Sequence, residues 1–122
     1  MSIPIIERRR AEQRARINAA AAWAERFAAG RRVTAVVVFG STVRGDFNKW
    51  SDVDVLVIAE DLPAEWRSRA EMVMADTPPG LQPVGWTSAE LAERRRRRDP
   101  IAVECDVVGV VIYGALPATE PG

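Results

Sequence analysis

The 122 residues are 48% hydrophobic and 28% charged, with 17 basic and 17 acidic side chains and a formal net charge of zero. That is enough for one compact domain and too little for two, and the balance excludes a chain that is basic or acidic throughout. Histidine is absent and Cys105 is the single cysteine, which excludes histidine-based catalysis, histidine-ligated zinc and an intrachain disulfide framework.

Residues from about Ile6 to Ala29 are predicted to form one long helix. No Pro or Gly lies between Ile5 and Gly30, and Ala15, Ala19, Trp23 and Phe27 recur as an apolar stripe. Gly30 is a natural stop. Val33 to Phe39 is short, apolar and β-branched, the pattern of a strand buried on both faces. Gly40 to Ser51 is polar and reads as a loop with room for one helical turn. Asp52 to Ala59 reads as a central strand whose first residues project from the core.

Pro63 to about Asp76 reads as a second helix with Trp66, Ala70, Val73 and Met74 on one face. Thr77-Pro78-Pro79-Gly80 is a break. Leu81 to Trp86 suits an edge strand, because Pro83 cannot donate to a ladder. Thr87-Ser88-Ala89-Glu90 is a capping box that opens a helix to about Arg98. Asp99-Pro100 has the form of an N-cap and first position of another short helix. Val107 to Tyr113 reads as a last strand, and Ala115 to Gly122 as a loose tail behind a single domain of residues 1–114. Trp23, Trp66 and Trp86 are expected in a core or interface, and Cys105 as a buried small hydrophobe.

The zero net charge hides a division. Residues 1–32 carry eight arginines against three glutamates, and residues 46–76 carry eight acids against Lys49, Arg67 and Arg69. Arg94 to Arg98 are five consecutive arginines. The basic segments read first as solvated helix surface and second as contacts to a partner or nucleic acid. No apolar run approaches the ~20 residues of a membrane helix, and no signal-peptide pattern is visible. The single cysteine fits a reducing compartment, so a cytoplasmic location is expected.

The acidic middle carries the chemistry. Asp52 and Asp54 are two apart on a predicted strand and so share a face. Two carboxylates on an otherwise apolar strand repel each other and cost desolvation. A shared divalent cation removes that conflict, and Mg²⁺ favours one or two carboxylates completed by phosphate oxygens and water. Gly40-Ser41 follows the preceding strand. Its glycine permits close backbone approach, and its hydroxyl and nearby N–H groups can donate to phosphate. Arg44 and Lys49 can add positive charge.

Phe39-Gly40-Ser41, a ten-residue spacer, then Asp52-Val53-Asp54-Val55 resembles the nucleotidyltransferase superfamily that includes DNA polymerase beta, and in particular its minimal single-domain members. Arg44-Gly45-Asp46 and Ser51 also match positions commonly filled that way in the minimal members, and the order of elements is similar across most of the chain. The resemblance implies a small α/β (α+β) fold, a mixed sheet flanked by helices. It implies a nucleoside triphosphate substrate, ATP by family habit, with Mg²⁺. Gly40 and Ser41 would hold the terminal phosphates, and Asp52 and Asp54 would ligate the metals for a two-metal in-line displacement at the α-phosphorus. Minimal members often work beside a separately encoded helical partner of the HEPN type, sometimes as a toxin–antitoxin pair. A hydroxyl on such a partner is therefore the expected acceptor.

Active members usually supply a third carboxylate from a later strand. If Leu81 to Trp86 is that strand, the position falls near Gln82 or Pro83, neither of which is acidic. If residues 103–108 supply it, Asp106 is the first candidate and Glu104 the second, although the cap at Asp99-Pro100 argues for a helix there. Without a third carboxylate, the alternative is a catalytically weak, antitoxin-like subunit that neutralises a partner by contact. Nucleic-acid binding through the Arg-rich segments ranks third.

Overall fold

The computed structural model describes residues 3–119. In chain order the elements are α1 (Ile3–Ala28), β1 (Val33–Phe39), α2 (Ser41–Arg44), β2 (Val53–Ala59), α3 (Trp66–Met74), β3 (Leu81–Trp86), α4 (Ser88–Arg96), α5 (Pro100–Val108) and β4 (Val110–Gly114). The four strands form one mixed sheet in the order β3-β2-β1-β4. β1 runs antiparallel to β2 and β4, and β2 runs parallel to β3. This is the α/β mixed-sheet architecture that the motif implied.

Alternation along the two central strands divides the core. Val36, Val38, Val55 and Val57 face one side, where they meet Trp23 and Phe27 of α1 and Val73 of α3. Val37, Leu56 and Ile58 face the other, with Trp86, Leu91 of α4, and Ala102 and Cys105 of α5. Helices on both faces explain why these strands are unbroken apolar runs rather than alternating ones. Pro83 lies on an edge strand, as its missing N–H requires.

Several local expectations are corrected. On α1 the buried residues are Ala20, Trp23, Ala24, Phe27 and Ala28, while Ala15 and Ala19 are exposed. The 26-residue helix is ~39 Å long at 1.5 Å per residue. The seven-residue strands beneath it span only ~23 Å, so its first half projects past the sheet. α3 starts at Trp66, capped by the Glu65 side chain, three residues after Pro63. Of its predicted face only Val73 is buried, and Trp66 is 70% exposed. This short helix rests on the edge strand β3 and touches it along one narrow stripe.

Val107 and Val108 end α5 instead of starting a strand. The Asp99 side chain caps α5 by accepting from the Ile101 and Ala102 N–H groups, and the Gly109 N–H closes the helix on the Glu104 and Cys105 carbonyls. The segment expected as a loose tail is held as far as it is described. The Ala115 N–H donates to Thr34 O at 3.2 Å, and Arg95 donates to Pro117 O at 2.7 Å. Leu116 packs on the Trp86 side of the sheet. Residues 120–122 of that expected tail lie outside the described residues. Among the described residues no helix is long and apolar enough to cross a membrane.

Candidate functional site

The site lies where β1 ends and β2 begins. Antiparallel register sets Phe39 opposite Asp54, so the Gly40-Ser41 turn leaves β1 beside the Asp54 side chain. Gly40 has φ 79° and ψ −155°, a region open essentially to glycine alone. α2 is a single turn, tied by the Val43 and Arg44 N–H groups to Gly40 O and by the Gly45 N–H to Ser41 O. Gly45, left-handed at φ 88°, ends it. Loop residues then lead to Asp52, exposed immediately before β2.

Asp54 is half-buried, and its carboxyl is held above the ordinary carboxylate range. Burial is the leading cause, followed by repulsion from Glu104 and then from Asp52, with Arg44 opposing them. Arg44 pairs with the Glu104 carboxylate and lies 3.4 Å from Asp46. The hydrogen bond to Glu104 is the main reason the guanidinium holds its proton more firmly than usual. The structure therefore gathers Gly40, Ser41, Arg44, Asp52 and Asp54 at one sheet end and adds Glu104 from α5.

Of two further expected residues, Lys49 lies in the motif loop and Asp106 points away from the Asp54 carboxylate. The Lys49 ammonium lies over the exposed Trp50 ring, 4.5 Å from its centroid, and makes no ion pair with Asp52 or Asp54 among the described residues. Asp106 pairs with Arg95 through contacts of 2.7 and 3.0 Å, in a cavity of about 610 Å³ bounded by α4, α5 and residues 117–119. Residues two apart on a helix point in nearly opposite directions, ~200° around the axis. Once Glu104 faces Arg44 and Asp54, Asp106 faces away. Of the two acids on α5, it is Glu104 and not Asp106 whose carboxylate lies near Asp54. On β3 the register partner of Asp54 is Gln82, so the neighbouring strand brings no carboxylate to this point.

The arginine run is largely neutralised within its own neighbourhood. Arg94 pairs with Asp99, Arg95 with Asp106, and Arg96 and Arg97 with Glu93. Arg95 is mostly buried rather than solvated, contrary to the simplest reading of the run. Three polar residues of α1 were passed over by motif reasoning: Arg9, Gln13 and Arg16 all bond to the loop between Gly40 and Asp52. Their spacing of four and then three residues, one helical stripe, is the signal that could have found them.

Among the described residues no group of three or more Asp, Glu, Cys or His side chains is arranged to hold a metal. Asp52 and Asp54 are the neighbouring carboxylates that could face a cation, and such a pair would suit one completed by phosphate oxygens and water better than an all-protein cage.

Residues 19–114 match the family described as Nucleotidyltransferase domain. The chain is similar to a provisionally assigned nucleotidyltransferase from Sulfolobus solfataricus solved at 1.40 Å. The two share 18% identity and a TM-score of 0.66, over 87% of this chain and 86% of that one. A crystal structure of a toxin–antitoxin with AMP-PNP is similar at 17% identity and a TM-score of 0.45, over 69% of this chain and 63% of that one. Comparison with curated proteins finds no match.

Proposed function

Because the chain belongs to the nucleotidyltransferase domain family, we propose that it acts as a minimal nucleotidyltransferase, moving AMP from ATP to a hydroxyl acceptor. The supporting observation is the closeness of Gly40 to Asp54, which places a phosphate-permissive turn against a half-buried carboxylate already repelled by Asp52 and Glu104. A cation relieves that repulsion. Asp52 and Asp54 are the residues that would hold Mg²⁺, which supplies positive charge to the reacting phosphates. Gly40 lets the phosphates approach the backbone, and the Ser41 hydroxyl donates to them. Arg44, half-exposed beside the site, is placed to turn from Glu104 to a phosphate oxygen. In the reaction the acceptor hydroxyl oxygen would bond to the α-phosphorus as the bond to pyrophosphate breaks, and the hydroxyl proton would pass to water.

The acceptor in this reading is a hydroxyl on a helical partner protein of the HEPN type. The reading extends to a cytoplasmic setting, which the single buried Cys105 fits. A second reading is favoured by one observation: Gln82, not an acid, stands beside Asp54 on β3. A chain without a third carboxylate from that strand can bind nucleotide poorly or not at all and neutralise its partner by contact.

Thermal-shift titration with ATP, GTP, CTP and UTP, each with Mg²⁺ or with EDTA, tests the first reading on the wild type and on Asp54→Asn. A ligand at ~100 times its Kd stabilises by about 2.7 kcal/mol, which moves the midpoint by several degrees. A metal-dependent shift with ATP that the variant lacks supports transfer, and labelled α-phosphate then identifies the acceptor. No shift with any nucleotide in a folded chain overturns it and moves the contact reading to first place.

A further inference from the structure

We propose that the N-terminal half of α1 is a clasp that sets the shape of the motif loop, with Arg9, Gln13 and Arg16 as positioning residues for the nucleotide site. The proposal rests on the nucleotidyltransferase reading for what the loop serves, but its geometry stands apart from that reading. The family match begins at residue 19, so all three residues precede it.

Spacings of four and three residues put these side chains on one helical stripe. From it, Arg9 donates to Gly45 O at 2.8 Å and to Phe47 O at 2.7 Å. Gln13 donates to Thr42 O at 2.8 Å and to Val43 O at 3.2 Å. Arg16 donates to Ser51 O at 2.7 Å and to Asn48 O at 2.8 Å. Every acceptor is a backbone carbonyl in residues 42–51. Phe47 is 3% exposed, with the Arg9 and Arg16 guanidiniums 4.1 and 4.5 Å from its ring centroid.

The attachment works in both directions. Between residues 4 and 16 of α1 only Arg9, Gln13 and Arg16 are even partly buried. This half of the helix therefore has no apolar seat of its own and is held through the loop. Apart from these donors, the loop after Gly45 has only short-range bonds among the described residues, such as Ser51 N–H to Asn48 O and Trp50 N–H to Asn48 Oδ1. Guanidinium donors make hydrogen bonds about twice as strong as neutral ones, and two cations on one ring repel unless such acceptors hold them. The loop begins at Ser41 and Arg44 and ends at Asp52. The clasp thereby bears on where Arg44 and Asp52 stand, while the β1–β2 register holds Gly40 beside Asp54.

Amide hydrogen exchange and ATP–Mg²⁺ titration, read together, test this on the full chain. The variants are Gln13→Ala, Arg16→Ala, Arg16→Lys and the Arg9→Ala/Arg16→Ala double, with exposed Arg10→Ala as control. In the double variant, exchange of amides 43–51 is expected to rise about tenfold or more while β1 and β2 stay protected, and ATP affinity to fall about tenfold. Gln13→Ala gives a smaller effect of the same kind, Arg16→Lys recovers part of the loss, and Arg10→Ala changes neither. Unchanged loop exchange, or strands that exchange as readily as the loop, overturns the clasp. A loosened loop with undiminished ATP affinity overturns the positioning role. If the wild type binds no nucleotide, the functional reading fails, and loop exchange still decides whether the clasp exists.

Discussion

A Cβ added to Gly40 would lie 3.1 Å from Asp54 Cγ and closer still to Oδ2. The glycine that turns the chain out of β1 and the carboxylate at the head of β2 are thus fitted to one another. A side chain at position 40 cannot be accommodated without moving the Asp54 carboxylate.

Gly40→Ala is therefore expected to be destabilising twice over. Its positive φ adds strain of about 1–3 kcal/mol, and its methyl displaces the Asp54 carboxylate. Urea unfolding reads the sum. Combining it with Asp54→Ala relieves the collision but not the strain, so the double variant should recover only part of the loss. A Gly40→Ala midpoint equal to the wild type would remove this account.

Asp54→Asn is expected to stabilise the metal-free protein at neutral pH. The folded-state carboxyl is raised above its unfolded value by burial, then Glu104, then Asp52. A group raised in this way contributes stability below the unfolded pKa of about 3.9, and that contribution is lost as pH rises through the folded value. At pH 7 in EDTA the ionised Asp54 thus opposes folding and the amide does not. The gain in melting temperature should shrink as pH falls toward 4. A variant that melts lower than the wild type at pH 7 under these conditions contradicts the mechanism.

Thr42 is fully buried, and its hydroxyl oxygen has no hydrogen-bond partner among the described residues. Leaving such a group unsatisfied costs about 1–3 kcal/mol. Thr42→Val keeps the shape and removes the polar atom, so it is expected to raise stability by ~1 kcal/mol. Its backbone carbonyl still accepts from Gln13. Loss of stability in chemical denaturation would mean that the hydroxyl has a partner.

Burial, aided by Glu104 and Asp106, pushes the Cys105 thiol up to about 12. At pH 8 only about one thiol in ten thousand is then ionised. Native alkylation by iodoacetamide should be slower by orders of magnitude than alkylation in denaturant. Fast native modification at pH 8 would place Cys105 outside the core.

Asp106 and Glu104 should separate by readout. Asp106→Asn removes the partner of the mostly buried Arg95 guanidinium and is expected to cost about 1 kcal/mol or more with nucleotide affinity unchanged. Glu104→Gln frees Arg44 and relieves Asp54, so its main effect should fall on nucleotide and metal affinity. The reverse pattern in paired melting and titration experiments would return Asp106 to the site.

Much of this fold was legible residue by residue. The Val-rich runs of β1 and β2, the Thr87–Glu90 box, the Asp99-Pro100 cap and the edge position of Pro83 are each decided by local stereochemistry or by burial on two faces. What failed depended on where elements end against one another. Ala15 and Ala19 follow an i, i+4 row that drifts ~40° per step off the buried face, which Ile17, Ala20, Trp23, Ala24 and Phe27 hold instead. Trp66 is on a helix that the edge strand covers too narrowly to bury it. Residues 115–119 carry no pattern, yet Arg95 and Thr34 hold them.

The same division runs through the site. The Gly40-Ser41 turn after β1 and the nearness of Asp52 to Asp54 were legible in the sequence, because residues two apart at the start of a strand keep their carboxylates close enough to repel. Which further residues reach them was decided by tertiary structure. Glu104 faces Asp54 and Asp106 does not, because α5 is a helix whose rotation is set by burying Ala102 and Cys105 against the sheet. Arg9, Gln13 and Arg16 meet the loop only because a helix longer than the sheet carries them past its end, and no short-range pattern encodes that overhang.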